Sequence, residues 1–147
     1  VDGDGQHDAV FLSKMAETMK KEKADMVIGS RFIDKKGFQS SRTRRMGILY
    51  FTWLIKLFSH ETITDPTSGL RMIGKDVIKM FAHNYPKDYP EPETAVAVLR
   101  NKKKIVEIPV IMRQRQGGVS SINMKNSIYY MIKESFSIVI ESFRSWH

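Results

Sequence analysis

Cysteine is absent from the sequence. With no thiol there is no disulfide framework and no thiolate metal site, so a metal ion would need harder ligands. Acidic residues are the scarcer charge. Asp and Glu number 16 against 24 Lys and Arg in 147 residues, a formal net charge of +8. That excess favours an anionic partner: nucleic acid, a phosphorylated small molecule or an anionic membrane surface. A long, clean apolar run is also lacking. The nearest candidate, Ile128 to Phe143, is interrupted by Lys133, Glu134 and Glu141, which argues against a transmembrane helix. No P-loop or kinase signature occurs, and there is no internal repeat, low-complexity stretch or domain boundary.

What is present reads as one globular domain over residues 1–147, with 41% hydrophobic residues and enough length to bury a core. Asp8 can cap a helix from Ala9 to Lys23 whose apolar positions are Val10, Leu12, Met15, Ala16 and Met19. The short apolar run Asp25 to Gly29 predicts a buried strand. A helix followed by a buried strand is the rhythm of an α/β fold. Ser30 to Arg45 reads as a polar, basic connection, and Met46 to Phe58 as a helix apolar nearly all round, of the kind that is deeply buried or lies against lipid or a partner. Thr64 to Gly69 is a turn by its Pro, Gly and hydroxyl content. A short helix is expected over Lys75 to His83. The three prolines of Tyr85 to Glu93 predict a stiff loop, with Pro92 opening a helix that runs to Arg100. Ile105 to Met112 reads as a strand held at an edge or bulge by Pro109. Arg113 to Ser121 is a basic, glycine-containing loop. The terminal segment, 126–147, holds an amphipathic helix from Asn126 to Phe143. The period puts Ile128, Ile132, Phe136, Val139, Ile140 and Phe143 on one face, expected to dock on the core. Lys133, Glu134, Ser137, Glu141 and Arg144 fall on the other.

The chemistry-bearing stretch is the first, Val1-Asp2-Gly3-Asp4-Gly5-Gln6-His7-Asp8. In an extended segment residues i and i+2 point the same way, so Asp2 and Asp4 can converge on one ion. Two carboxylates with an amide oxygen nearby suit a hard divalent cation such as Mg²⁺ or Mn²⁺. An EF-hand is excluded: His7 stands where the loop glycine is required and Ser13 where the bidentate acid is required. Taken alone, the stretch is also compatible with an Asx-rich turn capping a helix.

Further stretches follow in order: Val27-Ile28-Gly29-Ser30-Arg31-Phe32, Asp65-Pro66-Thr67-Ser68-Gly69-Leu70-Arg71, Tyr89-Pro90-Glu91-Pro92-Glu93, and Glu107-Ile108-Pro109-Val110 leading to Arg115-x-Gly117-Gly118-x-Ser120-Ser121. With the opening D-x-D-x-Q-H, this series resembles the inverting family-2 glycosyltransferases of A-type fold, in particular the branch of dolichyl- and polyprenyl-phosphate sugar synthases. The resemblance runs from Val1 to Ser121. It implies a partial A-type α/β fold, a mixed sheet flanked by helices. In that family the D-x-D follows a nucleotide-binding half, so the chain resembles the C-terminal, acceptor-side part, expected to be inactive alone.

By resemblance, Asp2 and Asp4 hold Mg²⁺ or Mn²⁺ on the donor diphosphate, and Gln6 adds an oxygen ligand. Arg31, Arg44 and Arg45 meet donor or acceptor phosphate, with Arg42 in the same basic stretch. Arg115 and Ser120 belong to a segment that closes over the diphosphate. Glu93, Glu91 and Asp65 are the candidates for the base that takes the acceptor hydroxyl's proton, with Glu93 preferred. No base is needed if the acceptor is already an anionic phosphate. The implied partners are a nucleotide-sugar donor and a polyprenyl phosphate or cell-surface glycan acceptor. The implied setting is cell envelope biosynthesis in the cytoplasm, with peripheral contact at the inner membrane face and no nucleic acid. The rival reading is a non-enzymatic basic module that binds nucleic acid or anionic membrane lipid without metal.

Overall fold

A computed structural model describes residues 10–37, 41–83, 90–111 and 124–143. Its organising strand is β1 (Met26–Ser30), the middle of a three-stranded sheet ordered β2-β1-β3. All five residues of β1 are buried. Side chains alternate across a strand, so both faces of the sheet must be covered. On one face, Met15 of α1 (Val10–Glu22) packs with Val27, Leu70, Ile108 and Val110. On the other, Met26 and Ile28 join Phe51, Leu54 and Ile55 of α2 (Arg42–Ser59), Val77 and Phe81 of α3 (Lys75–His83), Val96 and Val98 of α4 (Pro90–Arg100), and Ile138 of α5 (Met124–Phe143). The result is a mixed α/β sandwich: one helix, a small sheet, and four helices.

β3 (Ile105–Pro109) lies parallel to β1 with Val27 opposite Val106 and Ser30 opposite Pro109. β2 (Arg71–Ile73) lies antiparallel, with Ile28 opposite Arg71. Among the described residues β3 is an edge strand, where the missing N–H of Pro109 does no harm. The parallel pair brings the C-terminal ends of β1 and β3 to the same end of the sheet, where ligand sites fall in open α/β folds. Gly29 closes this end. A Cβ there would stand 2.8 Å from Leu70 Cδ2 and 2.9 Å from Val110 Cγ1. The residue's value here is therefore close approach.

Three expectations change. The helix expected from Met46 starts at Arg42, because Ser41 caps it by accepting the Arg44 amide N–H at 3.3 Å. Arg42, Arg44 and Arg45 thus sit on a first helical turn, not in a loop. The stiff loop expected through Glu93 gives way to α4 at Pro90, so Glu91 and Glu93 also lie on a first turn. The largest change is the facing of α5. Glu134 and Glu141 are buried, while Ile132, Phe136, Ile140 and Phe143 are exposed. The helical period separated these residues into two faces, but the face of Glu134 and Glu141, which also carries Ile138, meets the protein, and that of Ile132, Phe136, Ile140 and Phe143 looks outward.

Candidate functional site

The polar residues that follow β1 fold back on the Thr64–Gly69 loop. Arg31 is 4% exposed and Asp65 fully buried. The guanidinium forks onto the carboxylate: Nε donates to Oδ2 and Nη2 to Oδ1, each at 2.6 Å. The Arg31 amide adds a bond to Oδ2 at 3.1 Å, and Nη2 also reaches Thr67 Oγ1 at 3.0 Å. A buried charge pair needs this degree of satisfaction to be tolerated. Ser30 and Thr64 share a hydroxyl bond of 2.6 Å, and Ser68 Oγ donates to the Gly29 carbonyl at 2.6 Å. The loop is therefore fastened to the strand end at three places. Both Asp65 oxygens accept from Arg31, so this carboxylate is committed to the scaffold as it stands.

Two further residues fix the loop, and nothing in the sequence assigned them a role, although both lie in the quoted stretches. Glu107 of β3 accepts the Thr64 N–H at 2.8 Å and the Asp65 N–H at 3.0 Å. Burial raises its carboxyl above the ordinary range, against the opposing pull of those two amides. Arg71 of β2 connects the loop to α4. Its Nη2 donates to the Pro66 carbonyl at 2.7 Å, and Nη1 to the Glu91 carbonyl at 2.6 Å and to Thr94 Oγ1 at 2.8 Å. Through Arg71, the acidic first turn of α4 is held beside the Asp65 loop.

Arg45 arrives from the first turn of α2. Its guanidinium lies 3.6 Å above the Phe32 ring, directly after Arg31 in sequence. Its Nη1 is buried and has no hydrogen-bond partner among the described residues. A buried guanidinium N–H without an acceptor is uncommon. Arg44 is exposed on the same turn. The structure thus brings Arg31, Asp65 and Arg45 to the C-terminal end of β1, and Arg71 ties the backbone of the turn bearing Glu91 and Glu93 to the same loop. Asp2, Asp4, Gln6, Arg115 and Ser120 lie outside the described residues.

A third carboxyl meets the α4 turn from α5. Glu134 accepts the Glu93 amide N–H, and burial followed by the like charges of Glu93 and Glu91 pushes its carboxyl up to about 8. Sequence offered no signal for it beyond its being one of the charges, with Lys133 and Glu141, that interrupt the apolar run.

A polar cluster at the carboxyl ends of parallel strands lies where open α/β folds place ligands. The chain is similar to the UDP-N-acetylglucosamine--dolichyl-phosphate N-acetylglucosaminyltransferase of Methanococcus voltae, 28% identical over 112 residues, which are 74% of this chain and 45% of that protein. An uncharacterized protein of Methanocaldococcus jannaschii is 29% identical over 112 residues, 74% of this chain and 46% of that protein. The chain spans just under half the length of these curated relatives. No protein-family model matches it.

Proposed function

We propose that the chain is part of a glycosyltransferase that moves a sugar, with inversion, from a nucleotide-diphosphate donor to a polyprenyl phosphate, or to a cell-surface glycan hydroxyl. The distant relationship to a dolichyl-phosphate sugar transferase supports the reaction class. The observation that carries the reading on this chain is Arg45, stacked on Phe32 with a buried Nη1 that has no hydrogen-bond partner among the described residues. On this reading Nη1 is the donor left for a phosphate oxygen. The donor set of Asp2, Asp4 and Gln6 fits Mg²⁺ or Mn²⁺, which when bound would neutralise charge on the departing diphosphate. Arg44, Arg115 and Ser120 add phosphate contacts, and the Arg31–Asp65 pair holds the loop that shapes the acceptor side. With Asp65 so engaged, Glu93, seconded by Glu91, takes the proton when the acceptor is a hydroxyl. A phosphate acceptor needs no base.

The acceptor's lipid suggests what the outward apolar residues do. Met46, Leu49, Trp53 and Leu57 recur at helical spacing on the exposed face of α2, and Ile132, Phe136, Ile140 and Phe143 do so on α5. α2 and α5 are in contact, with Tyr50 Oη and Ser135 Oγ 2.9 Å apart. The two ridges lie on adjacent helices, and exposed Arg42, Arg44 and Lys56 accompany them. This is the composition of a peripheral face for an anionic bilayer. Among the described residues no helix is long and apolar enough to cross a membrane.

The test is a transfer assay on the full gene product with a UDP-sugar, polyprenyl phosphate and Mn²⁺. Asp2→Ala with Asp4→Ala should abolish metal-dependent donor binding. Arg45→Ala should lower kcat/KM by about 10- to 100-fold, the value of one charge-assisted hydrogen bond. Donor binding indifferent to metal and to Asp2 and Asp4, beside undiminished polyanion binding, would instead mark a non-enzymatic basic module.

A further inference from the structure

The first turn of α4 carries Glu91 and Glu93, and Glu134 reaches it from another helix. Glu134 is 1% exposed. One side of its carboxyl is held by the Glu93 amide. Its Oε1 is buried with no hydrogen-bond partner among the described residues. An ionised carboxylate in that position would keep lone pairs unsatisfied in a dry setting and face two like charges. The charged groups acting on it are Glu93 and Glu91 from α4 and Lys133 on its own helix. Glu141 lies buried two turns further along the same face. Among the described residues α2 meets α5 through Gly47, Tyr50, Phe51 and Phe58, of which only the Tyr50 phenol, hydrogen-bonded to Ser135, is titratable.

We propose that Glu134 is a positioning residue for the acidic turn of α4: as the neutral acid it holds the Glu93 amide and keeps the turn of Glu91 and Glu93 in place at the acceptor side, and on losing its proton to solvent it repels that turn. The proposal rests on the reading that this turn faces the acceptor. Burial and the two neighbouring carboxylates hold the proton on Glu134 until about pH 8. The unfolded chain releases it near the ordinary value of 4.5. The folded state therefore binds more protons across that window. The stability due to this group is complete below the lower value and declines as pH rises through the upper one.

The experiment follows the ¹³C carboxyl shifts of the chain and the amide exchange of Glu93 and Thr94 from about pH 5 to about pH 9.5. The Glu134 carboxyl should titrate near the top of this range, and the protection of the α4 turn, taken relative to the intrinsic base-catalysed exchange rate at each pH, should fall in step. Glu134→Gln keeps the shape and the amide bond but has no proton to lose, so the alkaline loss of protection should vanish. Glu93→Gln should lower the titration midpoint of Glu134. In the full gene product, Glu134→Gln should remove the same alkaline limb from the pH–rate profile. An alkaline step that persists in Glu134→Gln, or a Glu134 carboxyl that titrates in the ordinary range, overturns the proposal. If the step disappears as expected but no donor and acceptor give transfer, the positioning role stands and the glycosyltransferase reading fails.

Discussion

Arg31 and Asp65 form a pair that cannot be separated cheaply. Removing the carboxylate by Asp65→Ala leaves a guanidinium 4% exposed, with Thr67 Oγ1 still within reach of Nη2. An uncompensated buried charge of this kind typically costs about 3–5 kcal/mol, and urea unfolding should show a loss of that size. A loss under about 1 kcal/mol would mean that Arg31 swings out to water and that the fork matters little to the fold. The adjacency of these residues was only half legible. G-S-R and D-P-T-S-G were both recognisable as site segments, and Arg31 and Asp65 were each singled out. Their pairing was not visible, because 34 residues separate them and local pattern carries no information about contacts at that range. Arg71 and Glu107 were obscured for the same reason: their hydrogen bonds go to backbone atoms of a distant loop.

At the scale of elements, the sheet end depends on a missing side chain. Gly29→Ala places a methyl group within 2.8 Å of Leu70 and 2.9 Å of Val110. Overpacking of this sort costs about 1–3 kcal/mol, so thermal unfolding should shift downward by several degrees. An unchanged midpoint would show that both neighbours can move aside. Elements with strong local signals were found closely: α3 spans Lys75–His83 as expected, and β1 is displaced by one residue. The start of α2 was missed because three arginines after a polar run resemble a loop until Ser41 is seen to cap them. β2 has only three residues, too few for periodicity, and exists through its antiparallel pairing with β1. In α5 the period was right and the facing wrong. Amphipathicity specifies which residues share a side. On the side that meets the protein, Ile138, Tyr130 and Met131 join the core, and the Glu93 amide gives Glu134 a partner there.

For the whole molecule, the outward ridges of α2 and α5 make a prediction independent of catalysis. Trp53 is 57% exposed, so in a Trp146→Phe background it reports on that surface alone. Its emission should shift to the blue on mixing with phosphatidylglycerol vesicles, less with phosphatidylcholine, and the effect should weaken as salt screens the basic residues. Phe136→Ser, at a position 66% exposed, should reduce vesicle binding and leave stability nearly unchanged. No shift with either lipid, together with concentration-dependent sedimentation, would assign the ridges to a second copy of the chain instead.

Sequence alone determined the α/β class, the buried middle strand, most of the helices and the candidate residues of the site, because these depend on local periodicity, on turn chemistry and on a motif order. Tertiary structure decided which of those residues meet. It set Arg31 against Asp65, laid Arg45 on Phe32, brought Glu134 to the turn of Glu91 and Glu93, and turned the apolar side of α5 outward. Each of these depends on how a polar or charged group is satisfied by a partner far along the chain. Where the partner is a backbone amide or carbonyl, no residue type in the sequence can announce it.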